Sequence, residues 1–433
     1  MEINKQQVMN RIELITAAIF ILACVSCGKD SYKDDAVDPD RMAADSSKYA
    51  ANPDDNPLKT IALDTRSEAF VQQGKSFAFD FIRRVNEVKK ESFIVSPLSM
   101  QFLLGMILDG AQGETADEIC RVLGYEAGNI QAVNEFALSM MEQLPAMDKK
   151  TTLSIGNAAF VNQSYPILDS YRSCVVQYYD AEVSNLDFIN VGSATNQIND
   201  WCSDRTNGLI SRVLDQVDPN VLAYLMNAVY FKSQWTHQFQ KEATAMEKFV
   251  DENGKESSVP MMKNNGFFYS QENDVFSAVR LPYGNGAYQM TVILPRKGKT
   301  VKDALSVLND RQWNEFNYSW SERDVDIWLP KFETISHCDL NKLLIEMGMP
   351  TAFDGLKADF RAMSDYAVCL SLVMQDAVIK VDEEGTEAAA VSTGMMTTSV
   401  QEPFTFHADH PFLYLITESS TGAILFAGKF TEG

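Results

Sequence analysis

The sequence predicts an α+β fold with a large buried core. Apolar side chains recur at helical spacing in two early segments, residues 70–85 and 100–107. Later segments rich in Val, Ile and aromatic residues are typical of strands. The chain has 433 residues, 45% of them hydrophobic, which is enough for a sizeable core. Length alone suggests two or three domains, but no internal repeat or boundary divides the body of the chain.

A secretory leader is predicted before this body. Two basic residues come before an apolar run, residues 14–23, that is too short to span a bilayer and fits the core of a secretory signal. Small residues then lead to cysteine, as in the signals of bacterial lipoproteins, which this stretch resembles. We expect residues 1–26 to be the signal peptide and Cys27 to carry the lipid, with Cys24 as the alternative. An ordinary cleaved signal, giving a free secreted protein, is the competing interpretation.

Residues 27–65 are predicted to form an acidic flexible tether. They contain many Asp and few aliphatic side chains, so they cannot build a core of their own. About forty flexible residues reach roughly 35 Å root-mean-square. An acidic run after the lipid cysteine resembles the surface-export signal of some Gram-negative lipoproteins. We therefore expect a lipid anchor in the outer membrane of the cell envelope, with the body exposed at the surface or extracellular.

Composition excludes several function classes. A net charge of −22 argues against nucleic-acid binding, which normally needs a basic face. Four histidines, and seven cysteines whose one CxxC pair lies in the leader, make a metal cluster improbable, and we expect neither metal nor cofactor. The chain contains no GxSxG elbow, HExxH, Walker loop or dinucleotide-binding motif. We therefore expect no enzymatic activity, and a hydrolase is the weakest hypothesis.

Helices are predicted in the first part of the body. One apolar face recurs at helical spacing through Phe70, Phe77, Phe81 and Val85. Ser96 followed by Pro97 marks the start of a second helix, whose apolar face runs through residues 100–107. Thr115 and Glu118 have the spacing of a capping box for a third helix.

The later part of the body is predicted to be rich in strands. Residues 222–231 are almost continuously apolar, which indicates a strand buried on both faces. Asn227 lies inside this run, and we expect it to be a hydrogen-bonded structural residue, because a buried amide needs partners. Strands and hairpins are predicted over residues 260–269, 278–295, 325–333 and 406–430, with a Gly-Asn-Gly turn at residues 284–286.

An unusually long segment of small residues separates two strand-like runs, residues 377–381 and 404–406. Loops of this length inside a compact domain are normally functional or disordered. Alternate side chains from Thr386 to Gly394 are small and uncharged, and the opposite set contains a single charge, Glu387. Such a segment can enter a sheet as a strand, with Glu387 left in water. A plain surface loop is the alternative.

These segments together resemble the serpin family over about residues 67–431. The resemblance rests on three motifs: EEGTEAAA (383–390) followed by HPFLYLI (410–416), Ser-Pro-x-Ser (96–99) followed by Gly-Ala-x-Gly-x-Thr, and NAxYFKxxWxxxF (227–239). It implies a serpin domain over residues 66–433. The implied fold has a large central mixed sheet, two further sheets, about nine helices and an exposed reactive-centre loop.

The resemblance also implies roles for individual residues. The hinge, where the loop leaves the sheet, comprises Glu383, Gly385, Thr386, Ala388, Ala389 and Ala390. The breach at the top of the sheet comprises Trp235, Lys331 and Glu383, with Lys331 paired to Glu383. The shutter beneath the sheet comprises Ser96, Ser99, Asn227 and Gln375. Gln375 stands where the family commonly has histidine. A Gln side chain can hydrogen-bond to Asn227 but cannot become charged near pH 6, so we expect opening without a histidine-type pH switch.

The reactive bond is assigned to Ser399–Val400 by counting forward from Gly385 with the family's usual spacing. Counting back from His410 gives Val400–Gln401 instead. The alternatives are Thr398, Gln401, Met395 and Met396. No Lys or Arg lies between Lys380 and Lys429, so trypsin-like proteases should be poor targets. The small residues suit elastase-like or subtilisin-like proteases, with papain-like cysteine proteases as a further class.

The resemblance implies a serine protease inhibitor that acts as a suicide substrate: loop cleavage, trapping of the acyl-enzyme and strand insertion. The expected partners are target serine proteases, held in a covalent complex, and some cysteine proteases. We expect the lipid to attach the chain to a membrane. We expect no nucleic-acid partner, and we expect the chain to be a monomer. The alternative is a non-inhibitory serpin used for binding or transport. Such members often carry bulky, charged or proline residues in the hinge, where this chain has Thr386 and three alanines.

Overall fold

A computed structural model of the chain describes residues 56–317, 319–386 and 402–431, which belong to one compact unit. Nine α-helices occur in these ranges: α1 (Thr65–Val88), α2 (Pro97–Gly110), α3 (Gly113–Leu123), α4 (Ile130–Gln143), α5 (Asp169–Tyr179), α6 (Val191–Arg205), α7 (Val301–Val307), α8 (Asp310–Asn317) and α9 (Asn341–Met347). Short 3-10 turns cover Leu144–Ala146, Lys241–Ala243 and Thr351–Phe353.

The same ranges contain fifteen strands: β1 (Phe93–Val95), β2 (Thr152–Asn162), β3 (Ala181–Leu186), β4 (Ala223–Gln234), β5 (Ala245–Val250), β6 (Glu256–Glu272), β7 (Phe276–Tyr283), β8 (Tyr288–Pro295), β9 (Ser321–Pro330), β10 (Phe332–Asp339), β11 (Met374–Val381), β12 (Gly385–Thr386), β13 (Phe404–His407), β14 (Phe412–Glu418) and β15 (Ile424–Phe430). The strands predicted within residues 222–231, 260–269, 278–295, 325–333 and 406–430 are confirmed.

Six strands form a mixed sheet in the order β10-β11-β12-β4-β2-β3. Most neighbours are antiparallel, whereas β2 with β3 and β11 with β4 are parallel. β4 lies at the centre and is almost entirely buried, as its apolar run predicts. This is the large mixed sheet that the resemblance implies.

The other strands form one nine-stranded sheet in the order β1-β15-β14-β8-β7-β6-β9-β13, with β5 on β6. β6 is 17 residues long, pairing with β5 through its first part and with β7 through its last three residues. Because β6 runs through both parts, the two further sheets that we expected are continuous with each other in the described residues.

Two apolar cores lie on opposite faces of the six-stranded sheet. The larger contains the predicted apolar face of α1 and most of α2, packed against both sheets. The smaller lies beneath α6 and includes Ile198 and Trp201 of that helix with Val378 of β11. The central sheet is therefore covered on both faces. No helix in residues 56–317, 319–386 and 402–431 is long and apolar enough to cross a membrane.

Residues 56–64 pack against the body, although we expected the tether to extend to residue 65. The Asn56 side chain donates to Asp148 Oδ1 at 2.6 Å, and the Ile61 N–H donates to Ser420 Oγ at 3.0 Å. Asp64 then caps α1 by accepting from the Ser67 N–H at 2.7 Å. Asp148 and Ser420 are remote in sequence, so no local pattern indicated this packing. Residues 1–55, with both candidate lipid cysteines, lie outside the described residues.

The capping box expected for the third helix is wrong. α3 begins at Gly113 without a side-chain cap. Thr115 Oγ1 instead accepts from the Asp359 N–H at 3.0 Å. The buried Glu118 carboxylate accepts from both the N–H and the hydroxyl of Thr351, each at 2.8 Å. Both side chains serve long-range contacts that a local spacing rule cannot detect.

Candidate functional site

In the six-stranded sheet, β11 and β4 pair directly along one part of their length and are separated by β12 along another. β11 and β4 pair directly at only two positions, Asp376 with Ala228 and Ala377 with Val229. Four residues further along β11, Val381 pairs instead with Thr386 of β12, and Thr386 pairs on its other side with Ser233 of β4. Since one strand spacing is about 4.8 Å, β11 and β4 lie about two spacings apart at this level. β12 therefore acts as a wedge between them.

Thr386 is the wedge residue, and its side chain is buried. It is 1% exposed, and its Oγ1 lies 2.8 Å from the hydroxyl of Tyr283. The Tyr283 ring stacks on Trp235 with centroids 4.3 Å apart. Burial raises the pKa of Tyr283 well above its usual value, so the phenol stays neutral and can donate or accept. The side chain of this hinge residue is thus buried, and its hydroxyl forms a hydrogen bond with a neutral phenol.

Gly385 is required at its position by both conformation and space. Its φ is +155°, and a Cβ there would lie 2.1 Å from the carbonyl oxygen of Ser233. Only glycine tolerates this approach without displacement of the strand. Ser233, which stands where the family often has glycine, places its Oγ 2.6 Å from Thr151 Oγ1 and so links β4 to the residue before β2.

Trp235 holds the turn that connects β11 to β12. Its indole Nε1 donates to the carbonyl of Asp382 at 2.9 Å, and its backbone N–H donates to the carbonyl of Glu384 at 2.9 Å. The N–H of Phe239 donates to the carbonyl of Glu383 at 2.8 Å. Three successive carbonyls of the turn are therefore bound by the segment after β4.

Lys331 and Glu383 form an ion pair at this turn, with Lys331 Nζ 2.8 Å from Glu383 Oε2. The Thr244 hydroxyl donates to Glu383 Oε1 at 2.8 Å. The Glu383 side chain is 7% exposed, whereas that of Lys331 is 41% exposed. Burial by itself opposes ionisation of Glu383, but the hydrogen bonds from Lys331, its own backbone and Thr244 outweigh it and lower its pKa.

A second ion pair at the turn was missed by the sequence analysis. Lys241 Nζ contacts the carboxylate of Glu384, whose side chain is 10% exposed. The Asp382 Oδ1 accepts from the N–H groups of Glu384 and Gly385 at 3.0 and 3.2 Å, which closes the turn. The adjacent acids Glu383 and Glu384 were the signal that could have indicated two cationic partners.

The shutter residues lie beneath the closed part of the sheet. Ser96 caps α2 by accepting from the Ser99 N–H at 3.4 Å, and its Oγ donates to the Leu425 carbonyl at 2.6 Å. Gln375 accepts from the N–H of Ser96 and donates to its carbonyl, both at 2.8 Å. Gln375, which could have bonded Asn227, instead binds the backbone of Ser96 through both its amide oxygen and its amide nitrogen.

Asn227 has other partners. The Ser99 hydroxyl donates to Asn227 Oδ1. Asn227 Nδ2 donates to Asn157 Oδ1 at 2.8 Å, and Asn157 Nδ2 donates to the Tyr179 carbonyl at 2.8 Å. A buried polar chain thus runs from α2 through β4 and β2 to the end of α5.

The remaining site residues lie outside the described residues. They are Ala388, Ala389, Ala390, Met395, Met396, Thr398, Ser399, Val400 and Gln401, so the reactive bond stays a prediction. In the described ranges, no group of three or more His, Cys, Asp or Glu side chains is arranged to hold a metal ion. The site is therefore a slot for an additional strand between β11 and β4. Gly385 and Thr386 already occupy one end of this slot.

Three comparisons relate this sequence and its fold to known proteins. Residues 72–433 match the family model described as serpin, a serine protease inhibitor. Serpin B6 of Macaca fascicularis is 32% identical over 375 residues, covering 84% of this chain and 100% of the relative. The native structure of the thermophilic serpin tengpin aligns with a TM-score of 0.78 at 27% identity, covering 90% of this chain and 98% of tengpin. Human thyroxine-binding globulin complexed with thyroxine aligns with a TM-score of 0.77 at 26% identity, covering 84% and 98%.

These matches confirm the expected fold class, since both structures share the arrangement of helices and sheets over most of their length. The family model extends over more than four-fifths of the chain and includes β4, β11 and β12. The chain therefore belongs to the serpin family, a family of serine protease inhibitors and not of enzymes.

Proposed function

We propose that the chain inhibits serine proteases as a suicide substrate. One observation carries this proposal: β12 is paired with β11 on one side and with β4 on the other. A strand that continued from Thr386 would have hydrogen-bonding partners on both sides without any change of register. The slot therefore suits the loop that follows it in the sequence.

The register of such a strand follows from the pairs at Thr386. Continuing it places Ala388 between Ile379 and Phe231, and Ala390 between Ala377 and Val229. Ala377 and Val229 pair with each other in the closed sheet, so insertion beyond Ala389 must break that pairing. The small side chains of the hinge then meet the main core, because Ala377 and Ile379 belong to it.

Insertion after cleavage supplies the free energy for trapping. A protease that attacks the loop becomes acylated, and the cut frees the segment after Gly385. Each added hydrogen bond contributes a net 0.5–1.5 kcal/mol or so, and a dozen with side-chain burial supply on the order of 10–20 kcal/mol. This suffices to carry the attached protease across the sheet and distort its catalytic site, provided that the intact fold is strained.

The proposed reactive bond is Ser399–Val400, and the proposed targets are elastase-like or subtilisin-like proteases. Papain-like cysteine proteases form a second class, for which Met395 and Met396 are alternative sites. The absence of Lys and Arg between Lys380 and Lys429 supports discrimination against trypsin-like enzymes. Cleavage nearer the hinge frees a shorter strand, so it favours plain hydrolysis over trapping.

Denaturing gel electrophoresis after mixing with elastase, subtilisin and papain tests this function. An inhibitor gives a band at the summed mass that resists boiling in detergent. Elastase with a blocked active-site serine is the matched control, because it cannot form the acyl bond. The new N-terminus of the released fragment identifies the bond. It is Val400 for the assigned site, and Met396, Thr397, Ser399 or Gln401 for the alternatives. Adduct-free cleavage by all three proteases would refute the proposal.

The second candidate is a non-inhibitory serpin used for binding or transport. The likeness to thyroxine-binding globulin in complex with thyroxine favours it, since that structure binds a small ligand on the same fold. The thermal transition of the nicked chain separates the two candidates. An inhibitor gains a central strand and melts at a higher temperature after cleavage, whereas an unchanged transition supports the binding protein.

We further propose that the domain is held at the outer membrane through a lipid on Cys27, with Cys24 as the alternative, and that it acts there as a surface-exposed or extracellular monomer. The leader and the acidic segment after Cys27 support this. Incorporation of labelled palmitate should be lost in Cys27→Ser and kept in Cys24→Ser. Digestion of intact cells with an external protease distinguishes the outer face from the periplasm, and light scattering of the soluble domain tests the monomer.

A further inference from the structure

α2 is attached to the elements around the slot at both of its ends. Ser96 and Ser99 make hydrogen bonds at its start, as described above. Asp109 lies near its end, where the Asn134 side chain of α4 donates to Asp109 Oδ1 at 2.8 Å. The Asn134 amide also lies 3.3 Å from Cys174 Sγ of α5 and accepts from the Tyr179 hydroxyl at 2.7 Å. Asp109 thus joins α2 to α4 and α5.

The surroundings of Asp109 do not suit a charge. Its Oδ2 is buried and has no hydrogen-bond partner of normal geometry among the described residues. The titratable groups that face it are Tyr171, Cys174 and Tyr179, all from α5, and α4 contributes the neutral Asn134. Within the described part of the chain, no Lys, Arg or His forms an ion pair with it.

Burial of Asp109 raises its pKa to about 6, although Asn134 and Cys174 oppose the shift through hydrogen bonds. Burial, with Asp109 as a further cause, also raises the pKa of Cys174 to about 12 and those of both tyrosines well above their usual values. The neighbours are therefore neutral throughout the physiological range. Ionisation of Asp109 places an uncompensated charge between three helices.

Asp109 joins helices that are held to different sides of the boundary between β11 and β4. Ser96, at the start of α2, is bound to Gln375 of β11 by two hydrogen bonds and to the Leu425 carbonyl of β15 by a third. A single side-chain hydrogen bond, from Ser99 to Asn227, joins this end of α2 to β4. On the other side, β4 pairs with β2 over ten positions, and Asn157 of β2 binds the Tyr179 carbonyl of α5. These hydrogen bonds hold α5, and α4 through the bond between Tyr179 and Asn134, on the side of β2 and β4, whereas those of Ser96 hold the start of α2 to β11 and β15.

We propose that α2 stays with β11 when β4 separates from it, that Asp109 forms a pH-sensitive contact between α2 and the α4–α5 pair, and that ionisation of Asp109 promotes this separation. The inference rests on the proposed function only in treating this separation as a functional step. Neutral Asp109 fits the closed arrangement, whereas the carboxylate gains water when the boundary opens. The carboxyl thus retains its proton to higher pH in the closed state than in the open state, so opening becomes easier as pH rises between about 4 and 6 and levels off above.

Hydrogen exchange of the intact protein measures this opening directly. Residues 226–233 and 374–381 contain the closed pairing, and their exchange at pH 5 and pH 7 can be corrected for chemical exchange rates. The wild type should open about tenfold more at pH 7, from the linkage between a pKa near 6 and the ordinary value near 3.9. Asp109→Asn should abolish the difference, and Asp117→Asn, an exposed acid of α3, should leave it unchanged.

An equal pH response in the wild type and Asp109→Asn, or no response in either, overturns the proposal. Should Asp109→Asn not fold, Asn134→Ala provides a second test. It removes the amide that stabilises the carboxylate, so the opening transition should move to higher pH, and an unmoved transition contradicts the proposal. The assay contains no protease, so its failure leaves the trapping mechanism untouched, and the gel assay can fail without affecting it.

Discussion

Thr386 Oγ1 lies 2.8 Å from the hydroxyl of Tyr283, and both side chains are buried. Two hinge residues, Gly385 and Thr386, are already part of the six-stranded sheet, because β12 pairs with both β11 and β4. The slot below them is closed by only two residue pairs between β11 and β4. In the proposed mechanism, insertion extends this existing wedge, so side chains at the wedge should have large effects on trapping.

Thr386→Arg should convert the inhibitor into a substrate. The wild-type side chain is 1% exposed, and burial of an unpaired guanidinium costs several kcal/mol, so the variant hinge should stay outside the sheet. The gel assay with elastase should show cleavage without a covalent band. Thr405→Arg, at an exposed position of β13, is the matched control and should still trap the protease. A covalent band from Thr386→Arg at wild-type yield would contradict the insertion model.

Gly385→Ala should weaken the wedge by steric conflict. A Cβ at this position meets the Ser233 carbonyl at 2.1 Å, and the φ of +155° is unfavourable for alanine. We expect a loss of about 1–3 kcal/mol in the free energy of unfolding. Urea denaturation of the intact domain checks this value. Gly254→Ala, in an open turn with φ +79° and no atom near its Cβ, controls for backbone strain without the clash.

Lys331→Met should lower the free energy of unfolding by more than the loss of a surface ion pair does. Glu383 is almost fully buried, and the variant removes its only cationic partner among the described residues. We expect a cost of about 1–3 kcal/mol in urea denaturation at neutral pH. Lys248→Met breaks a pair in which both side chains are more than half exposed, and it should cost about 1 kcal/mol or less. Equal effects of the two variants would mean that Glu383 is effectively solvated.

The contribution of the Glu383 carboxylate to the free energy of unfolding should disappear at acidic pH. Its pKa is lowered in the folded state, so its stabilisation is present above the unfolded pKa, near 4.3, and is lost as pH falls through the folded value. The difference in unfolding free energy between the wild type and Glu383→Gln should therefore be constant from pH 7 to about 5 and shrink toward pH 3. A difference that persists at pH 3 would assign the effect to packing instead of charge.

Gln375→His should introduce a pH dependence with the opposite sign to that of Asp109. Gln375 both accepts from and donates to the backbone of Ser96, and a protonated imidazole can only donate. Relative to the wild type, the variant should lose about 1 kcal/mol of stability between pH 7 and 5.5. Thermal unfolding across this range measures the loss. Gln240→His, at an exposed position, should show none.

Much of the architecture is determined by local patterns in the sequence. The apolar faces of α1 and α2, the Ser96 cap and the continuous apolar run of β4 each require only neighbouring residues, and the structure confirms them. The expectation that a hinge of small side chains can enter a sheet follows from alternation along an extended chain. The leader and the reactive bond are read from the sequence alone and stay predictions.

Only the tertiary structure decided which polar groups meet. Glu118 binds Thr351 instead of capping its own helix, Gln375 binds Ser96 instead of Asn227, and Asp109 faces Asn134 and Cys174 without a cation. These partners are 25 to 279 residues apart in sequence. Local spacing determines whether a segment becomes a helix or a strand, whereas the partner of a buried polar side chain depends on which distant segments pack beside it.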